Sequence, residues 1–109
     1  MNIKQLLIAT ILLLSSGVYG QPDFEETKLL AEQGHAPAQT NLGLMYGNGR
    51  GVSENDVEAY VWFSVAVAQG HENARRNRDI VSEPLTPDQL ARGQEIATKC
   101  FESDYQDCE

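Results

Sequence analysis

The chain has 109 residues and carries 16 acidic against 8 basic side chains, so its formal net charge is -8 at pH 7. An acidic surface repels phosphate backbones and anionic lipid, which argues against nucleic acid and charged membrane surfaces as partners. A chain of this length forms one small domain with a modest core, so its architecture has to be economical.

The first 20 residues are typical of a secretory signal peptide. Lys4 gives a basic start, an apolar run extends from Leu6 to Leu14, and small or polar residues lead to Gly20. The run is shorter than the about 20 residues that span a bilayer. We expect cleavage between Gly20 and Gln21, with an uncleaved amphipathic anchor as the alternative. The mature domain, residues 21–109, would then be periplasmic or secreted and free of the membrane.

Helices are predicted along the whole mature chain, because no stretch alternates apolar and polar residues for long enough to form a strand. Asp23 is expected to cap a first helix that Gly34 ends. Pro37 suits the first turn of a second helix, which is expected to end at Gly47. Its apolar residues recur at helical spacing: Ala38, Leu42, Met45 and Tyr46.

The stretch "GNGRGV" that follows contains three closely spaced glycines, which permit a sharp turn between helices. A phosphate-binding loop is the alternative interpretation. Such loops follow a strand and usually supply a lysine, whereas this one follows a helix and has none. We therefore predict a turn.

Ser53 and Asp56 resemble a capping box and predict the start of a third helix, which Gly70 ends. Its apolar residues cover two sides, one with Val57, Tyr60, Val61 and Ala68 and the other with Ala59, Trp62, Phe63 and Ala66. A helix that is apolar on two sides needs neighbours on both. This helix is therefore expected at the centre of the domain.

A fourth helix is predicted after His71, and a fifth from Thr86, whose capping box Gln89 completes, to about Phe101. In the fourth helix we expect Ala74, Ile80 and Val81 to face inward and Arg75, Arg76 and Arg78 to face outward. Acidic neighbours favour a solvated face for the arginines over a clamp for an acidic ligand.

Cys100 and Cys108 are the only cysteines, and an even count in an exported chain favours a disulfide bond. Eight residues of unbroken helix would separate their Cα atoms by about 12 Å, beyond the about 7 Å that a disulfide tolerates. The helix must therefore end between them, and Ser103 and Asp104 offer a place. A zinc site is disfavoured because further ligands are lacking.

Two similar stretches, "EQGHAPA" and "AQGHENA", indicate an internal repeat. Five identical pairs share a spacing of 36: Gln33 and Gln69, Gly34 and Gly70, His35 and His71, Ala38 and Ala74, and Asn41 and Asn77. A period of this size in a helical chain is typical of stacked helical hairpins.

Residues 38–70 resemble the Sel-one-like repeat, a relative of the tetratricopeptide repeat. The matching positions are Ala38, Leu42, Gly43, Tyr46, Gly49, Gly51, Val52, Ala59, Trp62, Ala66 and Gly70. The match departs mildly at Asn55, Glu58 and Val67, where Asp, Lys and Ala are common. The second copy has Arg78, Asp79 and Ser82 in place of the leucine, glycine and tyrosine, so we interpret it as a degenerate half.

The resemblance implies an all-α solenoid of about five helices, with one full repeat between degenerate halves. It also implies that the protein is a small exported scaffold that binds an unidentified protein or peptide. Cysteine-rich relatives, whose cysteines share the spacing of Cys100 and Cys108, imply the alternative of an enzyme or binding protein for cell-wall peptides or β-lactams. Self-association through the ends of the short stack is a third hypothesis.

Few residues suggest chemistry. The motifs HExxH, GxSxG and SxxK are missing, which favours a binding protein over an enzyme, and we expect no cofactor or metal. His35 and His71 occupy equivalent corners, about one repeat apart, and are expected to be structural or merely exposed, with a functional ligand as the alternative. Tyr46 and Tyr60 are candidates for a partner-binding groove, whereas the spacing of Trp62 and Phe63 favours the core.

Overall fold

A computed structural model describes residues 23–109, which form five helices and no strand. The helices are α1 (Phe24–Glu32), α2 (Ala36–Asn48), α3 (Asp56–Ala68), α4 (Asn73–Ser82) and α5 (Pro87–Glu102). The all-α prediction is thus confirmed. The predicted signal peptide and its cleavage point lie outside the described residues. No helix within 23–109 has both the length and the apolar character needed to cross a membrane.

Side-chain caps fix where three of the helices begin. Asp23 accepts a 2.8 Å hydrogen bond from the backbone N–H of Glu26 at the start of α1. Thr86 and Gln89 form the expected capping box of α5. The prediction for α3 was wrong: Asn55, and not Ser53, is the cap. Its extended backbone is held by a hydrogen bond from its N–H to the Tyr46 carbonyl, so the helix begins only after it.

The repeated corners have nearly the same backbone geometry. Gly34 and Gly70 adopt φ angles of 91° and 88°, a left-handed conformation that favours glycine. The amide of His35 donates to the Leu30 carbonyl, and the amide of His71 donates to the equivalent Ala66 carbonyl. The spacing of 36 therefore corresponds to two structurally equivalent helix ends.

Helix α3 is the centre of the domain, because it packs against α2, α4 and α5, while α1 packs on the outer side of α2. Trp62 and Phe63 are each 2 % exposed. Two glycines permit close packing: a Cβ on Gly43 of α2 would lie 2.5 Å from the Phe63 ring, and a Cβ on Gly93 of α5 would lie 2.9 Å from the Tyr60 ring. The prediction of neighbours on both sides of this helix is confirmed.

The predicted disulfide is present between Cys100 and Cys108, whose Cα atoms are 4.3 Å apart. Helix α5 ends at Glu102 with Ser103 as its cap, and Asp104 and Tyr105 then reverse the chain with positive φ angles. The returning C-terminal segment reaches α1.

Two contacts hold that segment against α1. The side-chain amide of Gln106 donates a 2.8 Å hydrogen bond to the Glu32 carbonyl. The ammonium of Lys28 lies 3.4 Å from the Glu109 carboxylate. The beginning and the end of the described fold therefore support each other.

The prediction for α4 was wrong at one residue. Ala74 is fully buried and Val81 is half-buried, but Ile80 is 58 % exposed. This short helix buries only a narrow stripe against α3, and Ile80 lies beside that stripe at the edge of an open cavity.

Ala68 of α3, also predicted to face a neighbour, is exposed. Arg75 and Arg76 face solvent as expected, and Arg78 is half-buried.

Candidate functional site

A groove lies between α2 and α4 with α3 as its floor. Its volume is about 280 Å³, and its lining residues are Leu44, Gly47, Asn48, Asp56, Phe63, Asn77, Ile80, Val81 and Pro84. We call it the α2–α4 groove. Gly47 presents no side chain to the groove, and a Cβ at that position would lie 4.0 Å from Val81.

The α2–α4 groove combines an apolar surface with a polar rim. Phe63 forms a buried floor, Leu44 and Val81 are half-buried walls, and Ile80 is the most exposed large apolar residue of the described chain, at 58 %. Amide and carboxylate side chains of Asn48, Asn77 and Asp56 complete the lining. A concave apolar surface with a few polar groups is suited to an apolar side chain presented by a peptide.

The two tyrosines predicted for a partner-binding groove lie elsewhere. Tyr46 is only 8 % exposed, and its ring meets that of Phe24 edge-on at a centroid distance of 5.5 Å. Burial, and then the negative charge of Glu58, raises the pKa of Tyr46 to about 12, so the phenol stays neutral. Tyr60 is half-buried against Gly93 of α5. Neither tyrosine lines the α2–α4 groove.

The remaining repeat positions form the framework of the hairpin. Ala38, Leu42, Ala59, Trp62 and Ala66 are buried, and Val52 packs against the core they form. Gly49 and Gly51 adopt φ angles of 68° and 75° in the turn between α2 and α3, as predicted from the glycine-rich sequence. These residues position the groove without lining it. The predicted end of α2 at Gly47 was wrong, because the helix continues to Asn48 and Gly49 is its cap.

The two histidines occupy the helix corners and take part in different contacts. The Nδ1 atom of His71 lies 2.8 Å from the Thr40 hydroxyl, which joins the second corner to α2. His35 is exposed at the start of α2. Within residues 23–109, no group of three or more His, Cys, Asp or Glu side chains is placed to hold a metal ion.

The side-chain amides of Gln39 and Gln69 also join the two corners. Gln39 is fully buried, and its side chain donates a 3.0 Å hydrogen bond to the Ala31 carbonyl. Gln69 donates to the Gln39 side-chain oxygen at 2.7 Å and to the Gly34 carbonyl at 3.1 Å. A buried amide that finds partners in this way stabilises one arrangement of the helices.

A second cavity, of about 390 Å³, lies between the start of α3 and α5. We call it the Glu58 cavity; its lining residues are Asn55, Val57, Glu58, Gln89, Arg92, Ile96 and Glu109. Glu58 is 8 % exposed, and its Oε2 atom has no hydrogen-bond partner among residues 23–109. Burial, and then the charge of Glu109, raises the pKa of Glu58 to about 7.

Sequence reasoning did not find either cavity. The sequence does not predict that Leu44 and Ile80 line the same groove, because they belong to different helices and only helix packing brings them together. Glu58 had one signal, since it stands where the resembling repeat commonly has lysine. A carboxylate in that position indicates an altered environment, but not a cavity.

A comparison with protein-family models matches residues 36–71 to the Sel1 repeat. The match covers α2, the glycine-rich turn, α3 and the corner through His71. The resemblance to the Sel-one-like repeat is thereby confirmed over one full hairpin, and a helical solenoid fits both the family and the observed helices. No curated protein matches the chain.

Proposed function

We propose that this protein, whose residues 36–71 form a Sel1 repeat, is an exported interaction scaffold that binds a peptide segment of a partner protein in the α2–α4 groove. Helical repeats of this class present concave surfaces to protein partners. The proposal goes further than the family in naming the surface and in placing the protein outside the cytoplasm.

The observation that carries the proposal is the exposure of Ile80. Full burial of an isoleucine side chain contributes roughly 1.5 to 3 kcal/mol, and Ile80, which is 58 % exposed, leaves about half of that unrealised in the isolated protein. Leu44 and Val81 lie beside it in the same groove, so the apolar surface is continuous. A partner that covers this surface recovers the free energy.

The charge of the groove indicates the chemistry of the partner. Asp56 lines the groove, none of the lining residues is basic, and the chain as a whole has a net charge of -8. Complementary charge favours association and rejects acidic competitors. We therefore propose a partner segment with an aliphatic or aromatic anchor residue and neutral or basic residues around it.

Peptide display against the purified protein tests the groove. Selected peptides should share an apolar anchor and should bind the Ile80→Asp variant at least about tenfold more weakly, a loss of about 1.4 kcal/mol. Leu29→Asp is a matched control, because Leu29 of α1 is 57 % exposed and lies outside the groove. Equal weakening by both substitutions, or peptides that ignore Ile80→Asp, would contradict the proposal.

Two features support export. Residues 1–20 have the composition of a signal peptide, and the Cys100–Cys108 disulfide is suited to an oxidising compartment. The disulfide also holds the C-terminal segment that reaches α1. Retention of the protein in the cytoplasm with reduced cysteines would contradict this part of the proposal.

A further inference from the structure

The carboxyl group of Glu58 is buried without a full set of partners. The side chain is more than nine-tenths buried and lines the Glu58 cavity, and its Oε2 atom accepts no hydrogen bond within the described structure. Buried polar groups are normally paired, because an unpaired one forfeits its hydration. Glu58 therefore lines this cavity with a carboxyl group that is not fully paired among residues 23–109.

An unpaired cation faces the same cavity. Arg92 of α5 is a lining residue, and none of the ion pairs found among residues 23–109 includes it. Its guanidinium and the Glu58 carboxylate are therefore more than 4.0 Å apart across the cavity. Glu109 is different, since it is already paired with Lys28. The carboxyl group of Glu58 and the guanidinium of Arg92 therefore line the same cavity without being paired with each other.

The other lining groups are suited to a small organic ligand. Asn55 and Gln89 each use a side-chain oxygen to cap a helix, through hydrogen bonds from Glu58 N–H and Thr86 N–H, and their NH₂ groups are donors. Val57 and Ile96 are apolar. The volume of about 390 Å³ is at the lower end of the range for small-molecule sites, about 300 to 1,000 Å³.

We propose that the Glu58 cavity binds a zwitterion of amino-acid size, with its ammonium group on Glu58, its carboxylate on Arg92 and its side chain against Ile96. A simple cation would leave Arg92 unpaired, and a simple anion would meet the Glu58 carboxylate. A ligand with both charges satisfies both groups at once. This site is separate from the α2–α4 groove, and it does not depend on the proposed scaffold function.

Because the pKa of Glu58 is raised, binding of the ligand's ammonium group should be coupled to release of a proton from Glu58. Glu109 raises that pKa, while Lys28 and Arg92 lower it, and burial dominates. A bound ammonium favours the ionised carboxylate, so binding near pH 7 should release a fraction of a proton. Calorimetry in two buffers with different ionisation enthalpies measures that release.

Three probes with one aliphatic chain test the proposal: norleucine, which carries both charges, pentylammonium, which carries only the cation, and hexanoate, which carries only the anion. Norleucine should bind at least about tenfold more tightly than either of the others. Its amide chemical-shift changes should cluster in residues 55–58 and 89–96. Equal binding of all three probes, or no shift in these segments at about 20 mM norleucine, would overturn the proposal.

Two substitutions sharpen the test. Glu58→Gln keeps the side-chain shape and Arg92→Gln removes an exposed cation, so both variants should fold, and each should weaken norleucine binding at least about tenfold. Glu102→Gln and Arg76→Gln alter exposed charges outside the cavity and serve as controls. Unchanged binding in the first two variants, with native circular dichroism, would assign norleucine to another surface and overturn the proposal.

Discussion

Gly43 of α2 lies directly against the ring of Phe63 of α3, so close that a Cβ atom on the glycine would come within 2.5 Å of the ring. Phe63 is 2 % exposed and forms the floor of the α2–α4 groove, so its ring could yield to a Cβ on Gly43 only by shifting toward that groove. This contact sets the distance between the two helices of the repeat, and with it the width of the groove.

Gly43→Ala should therefore destabilise the protein. The helical backbone favours alanine over glycine by up to about 1 kcal/mol, so an overpacking cost of about 1 to 3 kcal/mol should leave a net loss of up to about 2 kcal/mol of unfolding free energy in urea titrations. Gly47→Ala is the matched control, since its Cβ would make only ordinary contacts, 3.7 Å from Ala59. Alanine there should be neutral or stabilising by up to about 1 kcal/mol. Similar effects of the two substitutions would contradict the packing argument.

The two corner glycines should respond differently to the same substitution. Both have left-handed backbones, in which an alanine costs about 1 to 2 kcal/mol. A Cβ at Gly34 would also lie 3.2 Å from the Tyr105 ring, whereas a Cβ at Gly70 would meet nothing within 4 Å. We expect Gly34→Ala to cost about 1 kcal/mol more than Gly70→Ala.

Tyr105 is the reason for the expected difference. Its amide donates a 2.7 Å hydrogen bond to the Cys100 carbonyl, and the disulfide closes the segment around it, so its backbone is held in place and the ring can yield only by rotating its own side chain. Thermal unfolding of the two variants measures the difference. If contact with the Tyr105 ring causes the extra cost of Gly34→Ala, the two substitutions should cost the same free energy in a Tyr105→Ala background.

Much of the fold could be predicted from the sequence because its signals are local. Three kinds of signal were local: glycines at positive φ, the capping residues Asp23 and Thr86, and apolar residues on two sides of α3. Each depends on residues only a few positions apart in the sequence. The Ser53 prediction failed because the true cap, Asn55, is fixed by a hydrogen bond to Tyr46 in the preceding helix. A sequence pattern does not contain that contact.

The candidate sites depend still more on packing. Ile80 has the spacing of an inward residue, yet it is exposed because α4 buries little more than Ala74 on that side. Tyr46 was predicted to line a partner-binding groove because its ring is apolar and its hydroxyl is polar, but the ring of Phe24 covers it. The neighbouring helix determines which apolar residues remain exposed. Exposure therefore depends on residues that are distant in the sequence.

The Cys100–Cys108 disulfide should contribute measurably to stability. The chain-entropy model gives about 2.5 kcal/mol for closing a loop with this separation of 8 residues. Both sulfurs are buried, so Cys100→Ser with Cys108→Ser should lower the unfolding free energy by at least that amount. Dithiothreitol should destabilise the native protein similarly and leave the double variant unaffected. A native protein insensitive to reduction would contradict the prediction.

Export should leave a mature protein that begins at Gln21. Mass spectrometry of the protein recovered from the periplasm or the medium, in a Gram-negative host, should show the loss of residues 1–20. Replacing Gly20 with a bulky leucine should block cleavage and retain the precursor, because the signal peptidase accepts small residues at that position. Gln21→Asn, on the other side of the bond, is the control. A full-length protein in the cytoplasm would contradict export.

Stability should fall as the pH rises through the neutral range, and Glu58 should be the cause. Its pKa is about 7 in the folded protein and 4.5 without the fold, so the native state holds the proton more tightly. Between these two values the folded state binds more protons than the unfolded chain, and the unfolding free energy therefore decreases with increasing pH. Below both values the contribution is fully present, and above pH 7 it is lost.

Glu58→Gln isolates this contribution. Glutamine has the shape of the protonated acid and carries no charge at any pH, so the variant should be more stable than the native protein by roughly 1 to 3 kcal/mol at about pH 8 and similar to it near pH 4.5. The exposed Glu102→Gln should show the same small difference at both pH values. Urea titrations at the two pH values provide the comparison. A difference between native protein and Glu58→Gln that does not change with pH would mean that folding leaves the pKa of Glu58 unchanged, and it would contradict this prediction.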